Sequence, residues 1–405
     1  MALPIRTDHW NLIGVDGGAT KVRAQRVVIE DLVDSEPLMH LSGTAACRLN
    51  SRSPEFRPVA MERQLAEHEA GEYCLAEDEA RLGAEWVRGF AECIAEALAE
   101  DASPRGSVHR GALVGIAMAG WKTRDGRGIG VLRNGPRIPD FADRLESELE
   151  RRDIVLGRPL SSLASDGLCR GMGEEFGGSG SLRGTKDAYY VAGGSGVAEA
   201  LKLGGRLVGM EQVDDWLLRA WQLRSAHGIS VEDAISASGI NAEVARRHSL
   251  PADPRAPHLL PEVSALEGDQ VARDVLTQAA VVLAELVMHR IAVVHGGKKT
   301  RLGFGETHRD LRGNHPYVGT ILDRVVLGGR LGRFHANEGL QPWFRGPFEE
   351  RLAELVRDLP DPTLRGRLLE GRALRPGFVQ ASTQARSAVM GAACVAWREA
   401  EGRRR

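Results

Sequence analysis

Short apolar stretches bounded by turn residues dominate the first part of the chain. Such stretches predict buried strands, and they fall at residues 11–16, 22–30, 36–43, 111–120 and 158–167. Apolar residues at helical spacing predict helices between 75 and 100 and at 139–151. Residues 45–76 are polar and irregular, and we assign them neither structure nor role. Strands that alternate with helices favour an α/β fold.

The opening pattern returns roughly 175 residues later in the chain. Residues 188–208 again predict a strand, a glycine turn and an alternating strand, which indicates weak internal symmetry. A mostly helical region follows at about 214–295. Residues 323–333 predict a strand that runs into a third glycine turn. Further helices are predicted at 347–359 and 385–400.

Composition narrows the classes of protein that fit. A length of 405 residues allows two or three domains, and a formal net charge of -2 indicates neither a nucleic-acid partner nor an anionic membrane surface. The apolar run at 279–294 contains Glu285, His289 and Arg290, so we expect a buried helix rather than a membrane span. The start of the sequence predicts no signal peptide. Five scattered cysteines without a Cys-x-x-Cys pair favour reduced thiols and a cytoplasmic protein.

The first glycine turn follows the strand at 11–16 and carries candidate chemistry. Gly17 and Gly18 would let backbone N–H groups approach phosphate oxygens. Thr20 would add a hydroxyl group and Lys21 a positive charge. Asp16 at the strand end would suit a hydrated Mg²⁺ ion, which prefers carboxylate, water and phosphate oxygens. The alternative is an ordinary hairpin with a turn-forming aspartate.

Two later glycine turns have the same character. Gly194, Ser195 and Gly196 form the second turn, and Gly328, Gly329 and Gly332 belong to the third. None of the three turns has the P-loop spacing, and the first lacks the G-x-G-x-x-G spacing of a dinucleotide site. The third turn is the weaker candidate, because strand-to-helix turns in α/β proteins often carry glycine for packing alone.

Asp166 is the second acidic candidate. At the carboxyl end of a predicted central strand, its carboxylate could accept a proton from a hydroxyl group that attacks a phosphoryl group. It could equally act at the start of a helix over "GLCRGMGEEF", as a residue of the N-cap. The pattern of residues alone does not separate these two roles.

The order of these pieces resembles the superfamily of sugar kinases, actin and heat-shock chaperone ATPases, and within it the ROK family of sugar kinases and regulators. "GVDGGATK" looks like that family's first phosphate loop, and it is also similar to N-acetylglucosamine kinases and to activator ATPases of the benzoyl-CoA reductase type. "SDG" falls where the family carries Asn-Asp-Ala. "GGSGVAEALKLGGRLV" is similar to the second phosphate loop, "VVLGGRLG" to the adenosine motif and "ARSAVMGAACVA" to the closing helix.

The resemblance implies two actin-like (ribonuclease H-like) domains around a nucleotide cleft. The first would span 1–163, with a closing helix at about 386–405 packed on it. The second would span 164–385, with a helical insertion at about 214–295. A homodimer is implied by the resemblance alone.

The same resemblance implies an ATP- and Mg²⁺-dependent kinase that acts on a small sugar. Asp166 would be the general base, and Asp16 would hold Mg²⁺ through water. The phosphate groups would lie against Gly17, Gly18, Thr20, Lys21, Gly194, Ser195 and Gly196. Adenosine would lie against Gly328, Gly329 and Gly332. We further select Asn134, Glu211 and Asp125 as substrate contacts.

The chain departs from the ROK pattern on the sugar side. The stretch "GMEQVDDWLLRAWQL" lacks the family's Glu-x-Gly-His contact and its Cys-x-Cys-Gly zinc knuckle, so we expect no zinc site, with Glu211 in place of the sugar-binding glutamate. Ser165 replaces the asparagine before the base. Two alternatives therefore stay open: a non-catalytic sugar-sensing regulator, and an activator-type ATPase on the same fold.

Overall fold

The computed structural model describes residues 10–50, 56–99, 111–225, 228–251, 260–297 and 314–402. The chain divides into two compact units. Unit 1 comprises Met1–Gly180 with Gln384–Arg405, and unit 2 comprises Ser181–Thr383.

Unit 1 is built on a six-stranded sheet flanked by helices. Its strands, numbered along the chain, are β1 (Asn11–Gly17), β2 (Lys21–Val33), β3 (Glu36–Leu49), β4 (Gly111–Met118), β5 (Trp121–Lys122), β6 (Ile129–Val131), β7 (Val155–Leu156) and β8 (Ala164–Ser165). Its helices are α1 (Met61–Ala70), α2 (Glu77–Ala99), α3 (Phe141–Glu150), α4 (Asp166–Phe176) and, near the end of the chain, α12 (Ser387–Ala400). The sheet order is β3-β2-β1-β4-β7, with β8 also paired to β4, whereas β5 and β6 form a separate hairpin.

Small residues let helix α12 lie directly on this sheet. A Cβ atom on Gly14 would lie 1.8 Å from the carbonyl oxygen of Val389, and one on Gly115 would lie 1.8 Å from that of Ala392. Real side chains never approach so closely. The glycines of β1 and β4 are therefore required for the packing of α12.

Unit 2 has a five-stranded sheet in the order β11-β10-β9-β12-β15. Its strands are β9 (Ala188–Gly193), β10 (Val197–Leu203), β11 (Arg206–Gly209), β12 (Arg324–Gly328), β13 (Leu369–Glu370), β14 (Ala373–Leu374) and β15 (Val379–Ala381). Its helices are α5 (Val231–Ile235), α6 (Ala237–Arg247), α7 (Pro261–Leu266), α8 (Gln270–Gly296), α9 (Gly329–Ala336), α10 (Arg345–Arg357) and α11 (Pro362–Leu368).

The internal symmetry predicted from the sequence is confirmed. In each unit, three antiparallel strands are followed by a parallel neighbour of the first: β4 beside β1 in unit 1, and β12 beside β9 in unit 2. A glycine turn joins the first two strands in both units. The two sheets thus place their glycine turns at equivalent positions.

Helix α8 is long and apolar enough to cross a membrane by length and composition. However, 72% of its apolar window is buried inside the structure, where it packs in the core of unit 2. Its charged Arg290 is fully buried and donates two hydrogen bonds to Glu199, at 3.0 and 2.7 Å. The helix is therefore a core element, in agreement with the expectation for residues 279–294.

Three sequence expectations differ from the structure. The strand expected at 158–167 has only the two residues of β8, because Ala164 and Ser165 alone pair with β4. Helix α4 begins at Asp166, which is therefore not a strand residue. The segment 45–76, to which we assigned no structure, contains the end of β3 and the whole of α1.

The division into units also falls later than the expected 163/164 boundary. Helix α4 belongs to unit 1 because it packs against α12: a Cβ atom on Gly391 would lie 1.8 Å from the carbonyl oxygen of Cys169. The expected closing helix ends at Ala400, and residues 403–405 lie outside the described part of the chain.

Candidate functional site

The first glycine turn joins β1 to β2 and is held from the end of β3. The Gly18 N–H group donates to the carbonyl oxygen of Lys21 at 3.1 Å. The buried Asn50 donates from its backbone N–H to Thr20 O at 3.0 Å and from Nδ2 to Gly18 O at 2.6 Å. Asn50 thereby fixes the conformation of the turn. Sequence reasoning missed it because it lies in the segment without a periodic pattern.

Asp16 lies near the carboxyl end of β1, one residue before Gly17. Its side chain is 19% exposed, and its Oδ2 atom lies 3.7 Å from Nη2 of Arg170 in α4. That arginine is a second residue that sequence reasoning missed. Its position four residues after Asp166 is visible in the sequence, but its approach to Asp16 depends on the tertiary fold.

Asp166 is half-buried and occupies the first position of α4. The N-cap is Ser165, whose Oγ atom accepts a hydrogen bond from Leu168 N at 3.2 Å. The capping role that we considered for Asp166 therefore belongs to its neighbour. A carboxylate in the first turn is favoured by the helix dipole.

The sheet register brings Asp16 and Asp166 to the same edge. Asp16 pairs with Ala117 of β4, and Ala117 pairs in parallel with Ala164 of β8, two residues before Asp166. Two neighbouring strand spacings correspond to roughly 10 Å. Arg170 lies one helical turn after Asp166, on the same face of α4. Two carboxylates and one guanidinium group are thus gathered at the carboxyl ends of β1, β4 and β8.

Two of the expected substrate contacts lie in loops of unit 1. Asp125 is exposed, and its Oδ1 atom accepts hydrogen bonds from Thr123 Oγ1 at 2.5 Å and Arg127 N at 2.9 Å. The hydrogen bond from Thr123 is the main cause that lowers the pKa of Asp125. Asn134 is half-buried in the loop that follows β6. One carboxylate oxygen of Asp125 is thus already a hydrogen-bond acceptor within the local turn.

A buried ion network anchors the loop that carries Asn134. Arg137 is fully buried and donates to Glu79 from its backbone N (3.0 Å), Nε (2.9 Å) and Nη2 (2.8 Å). It also pairs with Glu67 of α1. Burial opposes ionisation of Glu67, but hydrogen bonds from Arg63 and Arg137 outweigh it and lower its pKa to about 2. The network therefore ties α1, α2 and the loop together.

In unit 2, three hydrogen bonds hold the second glycine turn and the strand residue that follows it. Gly194 N donates to Gly196 O at 2.8 Å, and Ala237 N donates to Gly194 O at 2.8 Å. Glu232 accepts from Val197 N at 3.0 Å, and a Cβ atom on Gly196 would lie 2.9 Å from its Oε2 atom. Glu232 is a third positioning residue that sequence reasoning missed.

The third glycine turn lies beside the second. A β-bridge joins Gly193 to Gly329, whose φ of +60° favours glycine. A Cβ atom would lie 2.0 Å from Tyr190 Oη if placed on Gly328, and 2.2 Å from Leu327 O if placed on Gly332. Close packing thus explains these glycines. Unit 2 brings Gly194, Ser195 and Gly196 together with Gly328 and Gly329.

Glu211, the remaining substrate candidate, is exposed beside Gly209 in unit 2. The described residues contain no group of three or more His, Cys, Asp or Glu side chains that could hold a metal ion. Of the free cysteines there, Cys47 and Cys74 are exposed, whereas Cys93, Cys169 and Cys394 are buried.

The two units define the class of fold. An α/β chain with two such sheets, each with a glycine turn between its first two strands, has the two-domain actin-like (ribonuclease H-like) architecture. No protein-family profile and no curated protein matches the chain.

Solved structures of ROK proteins share this fold. A ROK family glucokinase from Streptomyces griseus, solved with glucose and AMPPNP, matches with a TM-score of 0.53 at 16% identity, over 95% of this chain and 98% of that chain. A ROK hexokinase from Thermus thermophilus matches with a TM-score of 0.50 at 18% identity, over 97% and 99%. A ROK family transcriptional regulator, a homologue of the E. coli MLC protein, matches with a TM-score of 0.51 at 12% identity, over 97% and 79%. The chain therefore has the fold of the ROK sugar kinases, which is also that of a ROK regulator.

Proposed function

We propose that the protein is an ATP- and Mg²⁺-dependent phosphotransferase that phosphorylates a hydroxyl group of a sugar or sugar derivative. The observation that carries this proposal is the placement of Asp16 and Asp166 at one edge of the unit 1 sheet, next to a glycine turn that Asn50 holds by hydrogen bonds. The fold shared with a glucokinase solved with AMPPNP supports ATP as the phosphoryl donor.

The first turn fits a magnesium-bound triphosphate. Asp16 offers a partly exposed carboxylate, which is a ligand type that Mg²⁺ prefers, directly or through water. The nearest atom to a Cβ atom on Gly18 would be 3.7 Å away, so the backbone of the turn is open to approach. When bound, Mg²⁺ would neutralise phosphate charge. Thr20 and Lys21 would add a hydroxyl group and a positive charge beside Gly17 and Gly18.

Asp166 would act as the general base. Ser165 already caps α4, so the Asp166 carboxylate is not needed for the cap. It would orient the sugar hydroxyl group and accept its proton as the oxygen attacks phosphorus. Catalysis of this kind depends mainly on positioning and charge neutralisation.

The remaining roles follow the resemblance. Gly194, Ser195 and Gly196 would contact phosphate, and the turn with Gly328, Gly329 and Gly332 would contact adenosine. Asn134, Glu211 and Asp125 are our candidates for sugar contacts. We also propose that the protein is cytoplasmic and forms a homodimer; light scattering of the purified protein would test the dimer.

The experiment is an ADP-release assay with a panel of hexoses, N-acetylhexosamines and polyols. We expect one sugar class to accelerate ADP release. Asp166→Ala should lower kcat by about a hundredfold or more while nucleotide affinity is retained. Asp140→Asn, at the helix-start aspartate of α3, is the matched control and should keep full activity. Normal turnover by Asp166→Ala would contradict the base assignment.

The ion pair between Asp16 and Arg170 favours one alternative, a sugar-binding regulator without kinase activity. In that case the arginine would occupy the place of the metal permanently. The protein would then bind a sugar without consuming ATP. ATP hydrolysis that no sugar accelerates would instead favour the activator-type ATPase. The resemblance to that class implies an iron–sulfur cluster held by cysteines, so an iron assay on anaerobically purified protein would test it.

A further inference from the structure

Arg170 contacts the carboxylate that we assign to Mg²⁺. The distance of 3.7 Å between Arg170 Nη2 and Asp16 Oδ2 is beyond hydrogen-bond range, so the contact is one of charge. Both side chains are partly exposed, at 24% and 19%. Such a contact is weaker than a buried, hydrogen-bonded ion pair and is readily exchanged for another partner.

The position of Arg170 links the two acids. It lies one turn after Asp166 on the same face of α4, and it reaches across to Asp16 at the end of β1. Its guanidinium group offsets the negative charge of the Asp16 carboxylate. A metal ion held by Asp16 would need the same carboxylate oxygen atoms. Arg170 and a divalent cation therefore compete for Asp16.

We infer that Arg170 leaves Asp16 when a magnesium nucleotide binds, and that its guanidinium group then contacts the terminal phosphoryl group. This inference rests on the proposed function. A guanidinium group matches the geometry of phosphate oxygens and stabilises the charge of a phosphoryl group in transfer. Helix α4 would thus carry both the general base, Asp166, and the guanidinium group of Arg170 that binds the phosphoryl group.

In the transfer step, the sugar oxygen forms a bond to the γ-phosphorus while the bond from that phosphorus to the β,γ-bridging oxygen breaks. The electron pair of the broken bond stays on ADP, and the hydroxyl proton passes to the Asp166 carboxylate. Arg170 forms and breaks no covalent bond, because its role is to hold the transferring phosphoryl group.

The test compares binding of metal, Mg–ADP and Mg–AMPPNP by the wild type and by Arg170→Met. In the variant, Mn²⁺ measured by electron paramagnetic resonance should bind several-fold more tightly, because its competitor at Asp16 is gone. In calorimetry, Mg–ADP affinity should be unchanged or higher. The preference for Mg–AMPPNP over Mg–ADP should fall by about tenfold, because the contact with the terminal phosphate is lost.

Two further variants serve as the control and as the conservative substitution. Arg144→Met removes an arginine that pairs with Asp140 elsewhere in unit 1, and it should change none of these affinities. Arg170→Lys keeps a positive charge and should retain part of the preference for Mg–AMPPNP over Mg–ADP. If Arg170→Met does not fold, Arg170→Lys replaces it in the comparison with the wild type. Equal weakening of both nucleotides, or no change in any affinity, would overturn the inference.

The outcomes separate this inference from the proposed function. If the binding differences appear but no sugar is phosphorylated, Arg170 has the inferred role and the transferase proposal fails. If the wild type phosphorylates a sugar but Arg170→Met keeps the nucleotide preference, the inference fails and the transferase proposal stands. A wild type that binds neither nucleotide would overturn both.

Discussion

The Glu79→Gln substitution tests the anchor of the loop that carries Asn134. Glu79 is buried and accepts three hydrogen bonds from the fully buried Arg137. Glutamine keeps the size of the side chain but removes its charge. Its amide oxygen can still accept two of the bonds, whereas its NH₂ group would face the donor Nη2 of Arg137. The variant therefore leaves a buried guanidinium group with Glu67 as its remaining carboxylate partner.

The expected loss of stability follows from these contacts. The hydrogen bonds from the backbone N and Nε of Arg137 keep an acceptor oxygen but lose its negative charge, which costs about 1 kcal/mol each, and the third bond, worth about 2 kcal/mol, is lost. The total of about 4 kcal/mol agrees with the roughly 3–5 kcal/mol expected when one partner of a buried ion pair is removed. For a unit of this size, the midpoint of thermal unfolding should fall by roughly 10 °C.

Differential scanning calorimetry measures this change. The matched control is Glu77→Gln, the same substitution at an exposed position in the first turn of α2, which should cost about 1 kcal/mol or less. A midpoint for Glu79→Gln within about 2 °C of the wild type would refute the reasoning, because it would mean that Arg137 is not held by its charge partner.

Three more predictions address packing, pH and the first turn. Gly115→Ala should lower the free energy of unfolding by more than about 3 kcal/mol in urea, because its Cβ atom would overlap the backbone of α12. Gly89→Ala in α2 is the control: its Cβ atom would have no neighbouring atom within 4 Å, so the variant should be more stable than the wild type by up to about 1 kcal/mol. Burial, aided by a neighbouring arginine, lowers the pKa of His289 from 6.5 to about 3. The unfolded chain binds this proton below pH 6.5 and the folded chain does not, so His289 should lower the free energy of unfolding by about 2 kcal/mol between pH 7 and 5 and leave it nearly unchanged above pH 7. His289→Gln should remove that part of the pH dependence, and a pH dependence equal to that of the wild type would contradict the assignment. Asn50→Ala removes the hydrogen bond to Gly18 and should weaken Mg–ADP binding by about tenfold in calorimetry, whereas unchanged affinity would show that the turn is rigid without it.

The elements that sequence reasoning predicted are those with strong local patterns. Strands β1, β4 and β9 are runs of buried residues, and glycine turns follow β1 and β9 at the expected positions. Asp16 could be selected because it lies in such a pattern, and Asp166 because it follows the apolar stretch before α4, of which only Ala164 and Ser165 form a strand. Local sequence also sufficed for the internal symmetry of the two units.

The elements that sequence reasoning failed to predict have a common physical cause: they depend on partners that are distant in the sequence. Leu160 and Leu163 are buried and resemble strand residues, but only Ala164 and Ser165 find a partner strand. Helix α1 has a single buried residue, Gln64, so its amphipathic pattern is weak. The ion pair between Glu67 and Arg137 holds it instead.

The same cause explains the missed residues of the candidate site. Asn50, Arg170 and Glu232 act on turns that lie far away in the sequence. No local pattern distinguishes them from ordinary polar residues. Their roles become visible only when the tertiary fold brings them to the glycine turns.

Detection of the phosphorylated product by ³¹P nuclear magnetic resonance tests the central claim most directly. With Mg²⁺, ATP and the sugar that best accelerates ADP release, we expect a sugar phosphate signal that grows in step with ADP. Asp166→Asn should reduce this signal by about a hundredfold, whereas Asp140→Asn should leave it unchanged. Release of inorganic phosphate alone, or a sugar phosphate formed equally fast by Asp166→Asn, would contradict the proposal.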